Sequence, residues 1–478
     1  MSKHNRWKYL AILPVAFLVS ACSVAPTLKQ PSIPKEGGYV KGDELVSMNQ
    51  KIVLGNRIAS DWWTLFASKP LNTLIRKAVE NNFDLAAARE SVKQAQEAAN
   101  AADGSLMPQV SLNAQAGRQK YGVAMFGPSN FSIPPFAYYE VGPSISWTPD
   151  FFGAERHAVE RQKALAAYQV HQLDAAYLSL TGNTVAEALA MASIAEEIAA
   201  VKRILSADKT TLSLVEDAYA VGTASKPELL SAKTKLLRDQ AMLPSLEGRM
   251  AASRHALSIL VGRAPSKWTP PEIALRDISM PKKLPLSLPS DLVKRRPDIL
   301  AAKANLDAAA ASVGVADADL YPSITLTANM VQEALTPAGV FRGAATAWAL
   351  ATGVSAPIFD GGTLSAKKRE AEHAYGAALA QYQQTILNAF GDVADALSSL
   401  AHDDEAVSTL QSATEAASNT LGLALDSYRV GEIGLMQVQD AQRDLAQAEL
   451  DLVRSRQQRY LDCVRLFIAL GGGAPWQS

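Results

Sequence analysis

The sequence predicts a mainly α-helical chain that also carries membrane β-structure, built from two similar halves. Three observations lead there. First, the chain repeats itself: PDFFGAERHAVERQKALAAY starts at Pro149 and PIFDGGTLSAKKREAEHAYG at Pro357. At this spacing of 208 positions, Pro149, Phe151, Gly153, Ala158, Arg161 and Val185 fall on Pro357, Phe359, Gly361, Ala366, Arg369 and Val393 without a gap. Second, each copy opens a very long apolar pattern with three-or-four spacing, the mark of an amphipathic helix. Third, each copy is preceded by segments of about ten residues in which apolar and polar residues alternate, the mark of strands.

Composition narrows the class. Hydrophobic residues make up 48% of the 478, but many are alanine and only 7% of the chain is aromatic. Such a chain favours helices packed closely side by side. A net charge of −1, with no basic block beyond the extreme N-terminus, gives no reason to expect nucleic acid.

That N-terminus reads as a targeting signal over residues 1–21. Lys3, Arg6 and Lys8 precede an apolar run from Leu10 to Val19, and Val19-Ser20-Ala21-Cys22 matches a bacterial lipobox. Cys22 is therefore expected to carry lipid and to begin the mature chain. Losing the three basic residues takes the formal charge from −1 to −4. Ser23 after the cysteine resembles lipoproteins sorted to the outer membrane. Cys463 then has no partner, and its helical apolar setting suits a small core residue. No other stretch approaches the ~18 continuous apolar residues of a spanning helix, so any membrane crossing falls to strands.

Residues 22–70, rich in Pro, Gly and Lys at first, begin as an extended tether. A short helix is expected over Asp61-Trp62-Trp63, Phe66 and Leu71 to Ile75. A longer one opens at Asp84 and is ended by Gly104 in a left-handed cap. After Pro108, Val110, Leu112, Ala114 and Ala116 alternate with polar residues; Tyr139, Val141, Ile145 and Trp147 do the same, with Pro143 awkward inside a sheet. From Gly153 to Tyr219 no proline interrupts, and at 1.5 Å per residue the rod is about 100 Å long. Val221-Gly222-Thr223 stops it. Ser225-Lys226-Pro227-Glu228 then has the chemistry of a helix start, and the return helix runs to about Val261. Residues 71–262 thus form repeat 1, and the Pro-rich segment 263–289 is a linker. Repeat 2, 290–473, follows the same order. Strands begin after Pro322 and near Trp348, the latter reaching Ile358; a second rod spans Gly361 to Tyr428, Val430-Gly431 turns it, and Leu435 to Leu470 returns. Residues 474–478 are a tail.

Four strands cannot close a barrel, for which about eight is the minimum. An open sheet in lipid leaves edges that hydrocarbon does not tolerate. Strands must therefore be pooled between copies, two copies giving eight and three giving twelve. The inward candidates Ser111, Asn113, Ser144, Thr325, Thr327 and Asn329 are small or polar, which suits a wet lumen and favours the larger ring.

The chain resembles the outer-membrane factor family, the TolC-like channel subunits of tripartite efflux pumps, in its lipoprotein (NodT-type) branch. The resemblance rests on Asp61-Trp62-Trp63 with Phe66, on Leu288-Pro289-Ser290-Asp291-Leu292 followed by Arg295-Arg296-Pro297-Asp298-Ile299, on Tyr321-Pro322-Ser323-Ile324, and on Pro357-Ile358-Phe359-Asp360-Gly361-Gly362. It implies a homotrimer with a 12-stranded outer-membrane barrel, a long periplasmic α-helical barrel, and a mixed equatorial domain from tether, linker and C-terminus. It also implies a passive exit duct for drugs or other small solutes. A periplasmic adaptor (membrane fusion) protein and an inner-membrane transporter would be its partners, with outer-membrane lipid around it. By the same resemblance, Val221, Gly222, Thr223, Val430 and Gly431 are helical tips onto which adaptors dock, and Asp440 and Arg443 narrow the periplasmic end. By spacing alone, an Asp and an Arg three apart are a solvated helix pair. Ser231 stands in the place of Asp440 in repeat 1, so a trimer would carry one ring of three such carboxylates.

Two other function classes compete with a channel. An enzyme is not expected: there is no Gly-rich phosphate loop or nucleophile elbow, and the six His are scattered without metal-ligand spacing. No metal and no cofactor other than the lipid on Cys22 are expected. The alternatives are the channel of a protein secretion system and a periplasmic coiled-coil scaffold lipoprotein.

Overall fold

The computed structural model describes Tyr39 and residues 51–55, 58–122 and 134–473. The signal segment, Cys22 and most of the tether lie outside the described residues, as does the tail. In chain order the elements are β1 (Lys51–Leu54), α1 (Lys69–Asn81), α2 (Phe83–Ser105), β2 (Gln109–Gln119), β3 (Phe136–Trp147), α3 (Ala154–Ala220), α4 (Lys226–Gln240), α5 (Met242–Leu260), β4 (Lys283–Leu286), α6 (Pro289–Leu292), α7 (Pro297–Ala318), β5 (Ser323–Ala334), β6 (Thr346–Ser355), α8 (Thr363–Arg429) and α9 (Leu435–Ala469). The two rods, α3 and α8, are 67 residues each and end within two residues of the boundaries read from the sequence.

The chain divides into two compact units. The first holds residues 92–168 and 302–382, and its centre is one antiparallel sheet in the order β2-β3-β5-β6. Two hairpins, one from each repeat, are therefore joined edge to edge, with β2 and β6 left unpaired at the outside. Pro143 does sit inside β3, opposite Leu112. On its other side the ladder with β5 is interrupted at 142 and 143, where a proline has no N–H to give. Gly142 is required beside it: a Cβ there would lie 2.0 Å from the Met330 carbonyl oxygen. Each rod is capped by an aspartate. Asp150 accepts from the Gly153 and Arg156 amides, and Asp360 from the Gly362 and Leu364 amides. At Asp150 burial is the largest single influence and raises the carboxyl, but the hydrogen bonds and charge of Arg156 and the Gly153 bond together hold it below the usual aspartate range; at Asp360 the backbone bonds alone do so.

The second unit holds the described residues up to 91, with 169–301 and 383–473. Trp62 stacks on Phe467 at 5.4 Å and packs edge-on to Phe66, which itself meets Phe467 and Tyr460. All but Tyr460 are essentially fully buried. Arg296 ties three segments together, donating to the Ala389 and Ala469 carbonyls and pairing with Asp298 and Asp392. One carbonyl belongs to the last turn of α9, whose end lacks intrahelical donors.

Several expectations need correction. Asp61 to Ile75 is not one helix: a 3-10 turn (Trp62–Phe66) ends at Ala67, whose φ is 54°, and α1 starts afresh. Gly104 is not a left-handed cap. It lies in the last turn of α2, and its carbonyl accepts from the Met107 backbone N–H and the Gln109 side-chain Nε2. The first return helix breaks at Ala241 into α4 and α5, because Pro244 has no N–H for the Gln240 carbonyl and fits only a first turn. Its counterpart α9 runs 35 residues unbroken. β6 ends at Ser355, short of Ile358, since Pro357 cannot extend the ladder. Tether and linker are not wholly aperiodic: β1 pairs in parallel with β4, Lys51 opposite Lys283. α7 alone among the described helices is long and apolar enough to cross a membrane, yet 44% of its apolar window is buried within the chain; Leu306 and Val313 are core residues.

Candidate functional site: a two-faced sheet and two helical tips

Strand alternation and register together sort the sheet into two faces. Ser111, Asn113, Ser144, Thr325, Thr327 and Asn329, the residues expected to face inward, all fall on one face. Ala349, Ala351 and Gly353 continue it on β6. Asn113 Nδ2 donates to Ser144 Oγ at 2.9 Å, and the Ser111 and Ser144 hydroxyls meet at 2.8 Å. The opposite face carries Val110, Leu112, Ile145, Trp147, Leu326, Met330, Trp348, Leu350 and Val354. It is bare: Leu112 is 74% exposed and Leu350 77%. One apolar and one polar face, neither covered, is the arrangement of a barrel wall between lipid and water. The only Asp, Glu, Lys or Arg residues on the polar face among the described strand residues are Glu140 and Glu333, and they stand directly opposite each other.

In the second unit the tips are built alike. Gly222 (φ 80°) and Gly431 (φ 79°) adopt the left-handed conformation that ends each rod. The Thr223 amide and hydroxyl both bond the Ala218 carbonyl, and the Glu432 amide bonds that of Ser427. Ser225 and Glu228 complete a capping box, whereas α9 starts from Gly434 with no side-chain cap. Val221 and Val430 project at 76% and 71% exposure. Just inside, Val215, Ala232 and Leu435 form one apolar cluster with Leu212, Leu229 and Tyr428, so the two hairpin tips are packed on each other. Val221, Gly222, Thr223, Val430 and Gly431 are thus brought together at one end of the unit.

Asp440 and Arg443 pair with one another at 2.8 Å on the exposed face of α9. Beside them Ser231 donates to Gln439, which links α4 to α9 across the repeats. Sequence reasoning missed the ionic group next to this contact, in which half-buried Lys235 bridges buried Asp208 at 2.9 Å and half-buried Asp239 at 2.7 Å. Burial pushes the Asp208 carboxyl up to about 6, against the Lys235 bond and with the help of Asp239. It also missed Gln442, buried and donating to Thr211 at 2.7 Å. The available signal was polar residues at core-facing steps of a helical pattern. Among the described residues no group of His, Cys, Asp or Glu could hold a metal. His157 pairs with Glu160, and His171 lies 3.6 Å from Asp174.

An open sheet with lipid and lumen faces, followed by paired helical hairpins, defines a channel subunit that completes its wall with further copies. A profile of the family described as Outer membrane efflux protein matches residues 74–263 and 288–472. The chain belongs to that family. It is 31% identical over 479 residues to the pyoverdine export outer membrane protein OpmQ of Pseudomonas putida, covering 98% of each chain. It is 28% identical to the probable outer membrane lipoprotein SilC of Salmonella typhimurium, covering 98% of each. Among solved structures, the outer-membrane channel OprN superposes with a TM-score of 0.87 at 28% identity, covering 95% of this chain and 99% of that one. The protein is an outer-membrane efflux channel subunit of the trimeric, α-helical-barrel type, and its family is one of channels.

Proposed function

We propose that three copies form the passive exit duct of a tripartite pump, taking drugs or other small solutes from an inner-membrane transporter through a periplasmic adaptor. The two-faced open sheet carries this reading, because only closure with other copies satisfies its edges in lipid. The names of OpmQ and SilC, a pyoverdine exporter and an outer membrane lipoprotein, favour a solute conduit over a secretion channel or a scaffold. Val221, Gly222, Thr223, Val430 and Gly431 are the docking tips for the adaptor, and their exposed valines are the apolar contact. Asp440, steadied by Arg443, forms a ring of carboxylates that restricts the periplasmic end and favours cations. Cys22 carries the lipid, and the mass of the mature N-terminal peptide reads it directly.

The test is planar-bilayer recording of the purified protein. Heat-resistant trimers should conduct, and Asp440→Ala should raise conductance and lower cation preference. A water-soluble monomer without current defeats the reading; unchanged selectivity in the variant defeats the role of the ring.

A further inference from the structure

The sheet ends in two unpaired edges, β2 and β6, and the internal repeat says how they meet. Pro108 and Pro322 each stand one residue before a strand, so β2 maps onto β5 by 214 positions. Within the hairpins Asn113 faces Gly142, and its equivalent Thr327 faces Ala351, so β3 maps onto β6 by 209. The two hairpins meet through β3 and β5, with Ser146 opposite Thr327. The equivalents of these two residues are Ser355 and Asn113.

We propose that β6 of one copy pairs antiparallel with β2 of the next in the register that sets Ser355 opposite Asn113 of the neighbouring copy. This rests on the pooled-barrel reading and supplies what that reading lacks, the residues that close the ring. The register keeps both faces intact. It sets Val354 against Ala114 on the apolar side and gives Asn113, in Ser355, the same kind of partner that it already has in Ser144. A slip of one residue would turn every side chain of a strand to the wrong medium. The nearest competitors are therefore slips of two, with Ser355 opposite Ser111 or Gln115.

The junction below the strands agrees. In repeat 1, Phe152 stacks on Tyr321 at 5.0 Å, so the segment entering α3 is covered by the start of β5. In repeat 2 the residue matching Phe152 is Asp360, and the two apolar residues before it are bare, with Ile358 98% and Phe359 92% exposed. Their cover is the equivalent of Tyr321, which is Met107 of the neighbouring copy, itself 65% exposed and able to give a sulfur–aromatic contact.

Cysteine pairs in the full-length protein test this, with the buried Cys463 left native. Under mild oxidation Ser355→Cys with Asn113→Cys should link copies into covalent trimers about tenfold faster than Ser355→Cys with Ser111→Cys or with Gln115→Cys, because a disulfide needs Cα atoms about 4.4–6.8 Å apart. Val354→Cys with Ala114→Cys, on the opposite face, should link equally well and guards against one variant failing to assemble. Faster linkage through Ser111 or Gln115, or heat-resistant trimers that link through neither predicted pair, overturns the register while leaving the pooled barrel standing. Monomers under all pairings overturn both.

Discussion

Three carboxyls crowd one place in the second unit. Arg459 lies 2.5 Å from Asp404, and Arg465 and Gln458 both reach Asp462, at 3.3 and 2.8 Å. Asp403 shares the site. Burial, together with the carboxylates of Asp462 and Asp404, pushes it up to about 7, against the pull of Arg459. The folded chain therefore holds this proton more tightly than the unfolded chain, whose aspartates titrate near 4. The stabilisation is complete below about pH 4 and is lost as pH rises through about 7. Asp403→Asn should remove that slope and make the trimer more stable at pH 8, by about 1–2 kcal/mol after allowance for solvent screening. Thermal melts of wild type and variant from pH 5 to 8 check it; parallel curves would mean that Asp403 is ordinarily ionised. The neighbouring thiol of Cys463 is pushed up by burial and behaves as the inert core residue its helical setting suggested.

At the scale of elements, the sheet carries a prediction that strand register alone exposes. Glu140 and Glu333 sit opposite one another on the lumen face, a like-charge pair that costs stability in a sheet. In a trimer this becomes six carboxylates at one level of a lumen face that otherwise carries no Asp, Glu, Lys or Arg, counting the described strand residues. Glu140→Gln with Glu333→Gln should cut cation preference severalfold in bilayer recordings at low salt and have less effect at 1 M, where screening reaches only about 3 Å. Undiminished preference at low salt would place selectivity elsewhere. Such a pair is invisible before register is known, since the two glutamates are 193 positions apart in the chain (Glu140 to Glu333). The same limit explains what else went unread. The helical rods and the hairpins were legible because periods of 3.6 and 2 are local, and the first tip because Ser225 and Glu228 write a capping box. The four-residue strands β1 and β4 have no periodicity to detect and exist only through each other. Lys235, Asp208 and Asp239 look like ordinary surface charges until α4 packs on α3, which buries Asp208 and half-buries the other two. Pro244 was in plain view, and its effect on the return helix followed from its missing N–H alone.

At the scale of the whole molecule, stability in the membrane depends on a division of labour between adjacent residues. Leu350 and Ala349 are neighbours on the edge strand β6, both exposed, one on the apolar face and one on the polar face. If lipid covers the first and water the second, a lysine must behave oppositely at the two positions. On the lipid face it costs about 2–4 kcal/mol near the midplane, and three copies multiply the penalty within one barrel. On the lumen face it stays hydrated and alters only the field felt by passing ions. Leu350→Lys should therefore sharply reduce heat-resistant trimer in outer membranes. Ala349→Lys should assemble near wild-type levels while conducting with weaker cation preference. A soluble or scaffold protein would show no such alternation, because water would bathe both faces and both lysines would be tolerated. The comparison varies one residue step at constant chemistry, so general damage from a new charge cannot mimic it. Equal assembly of the two variants would remove the membrane from the account of this sheet.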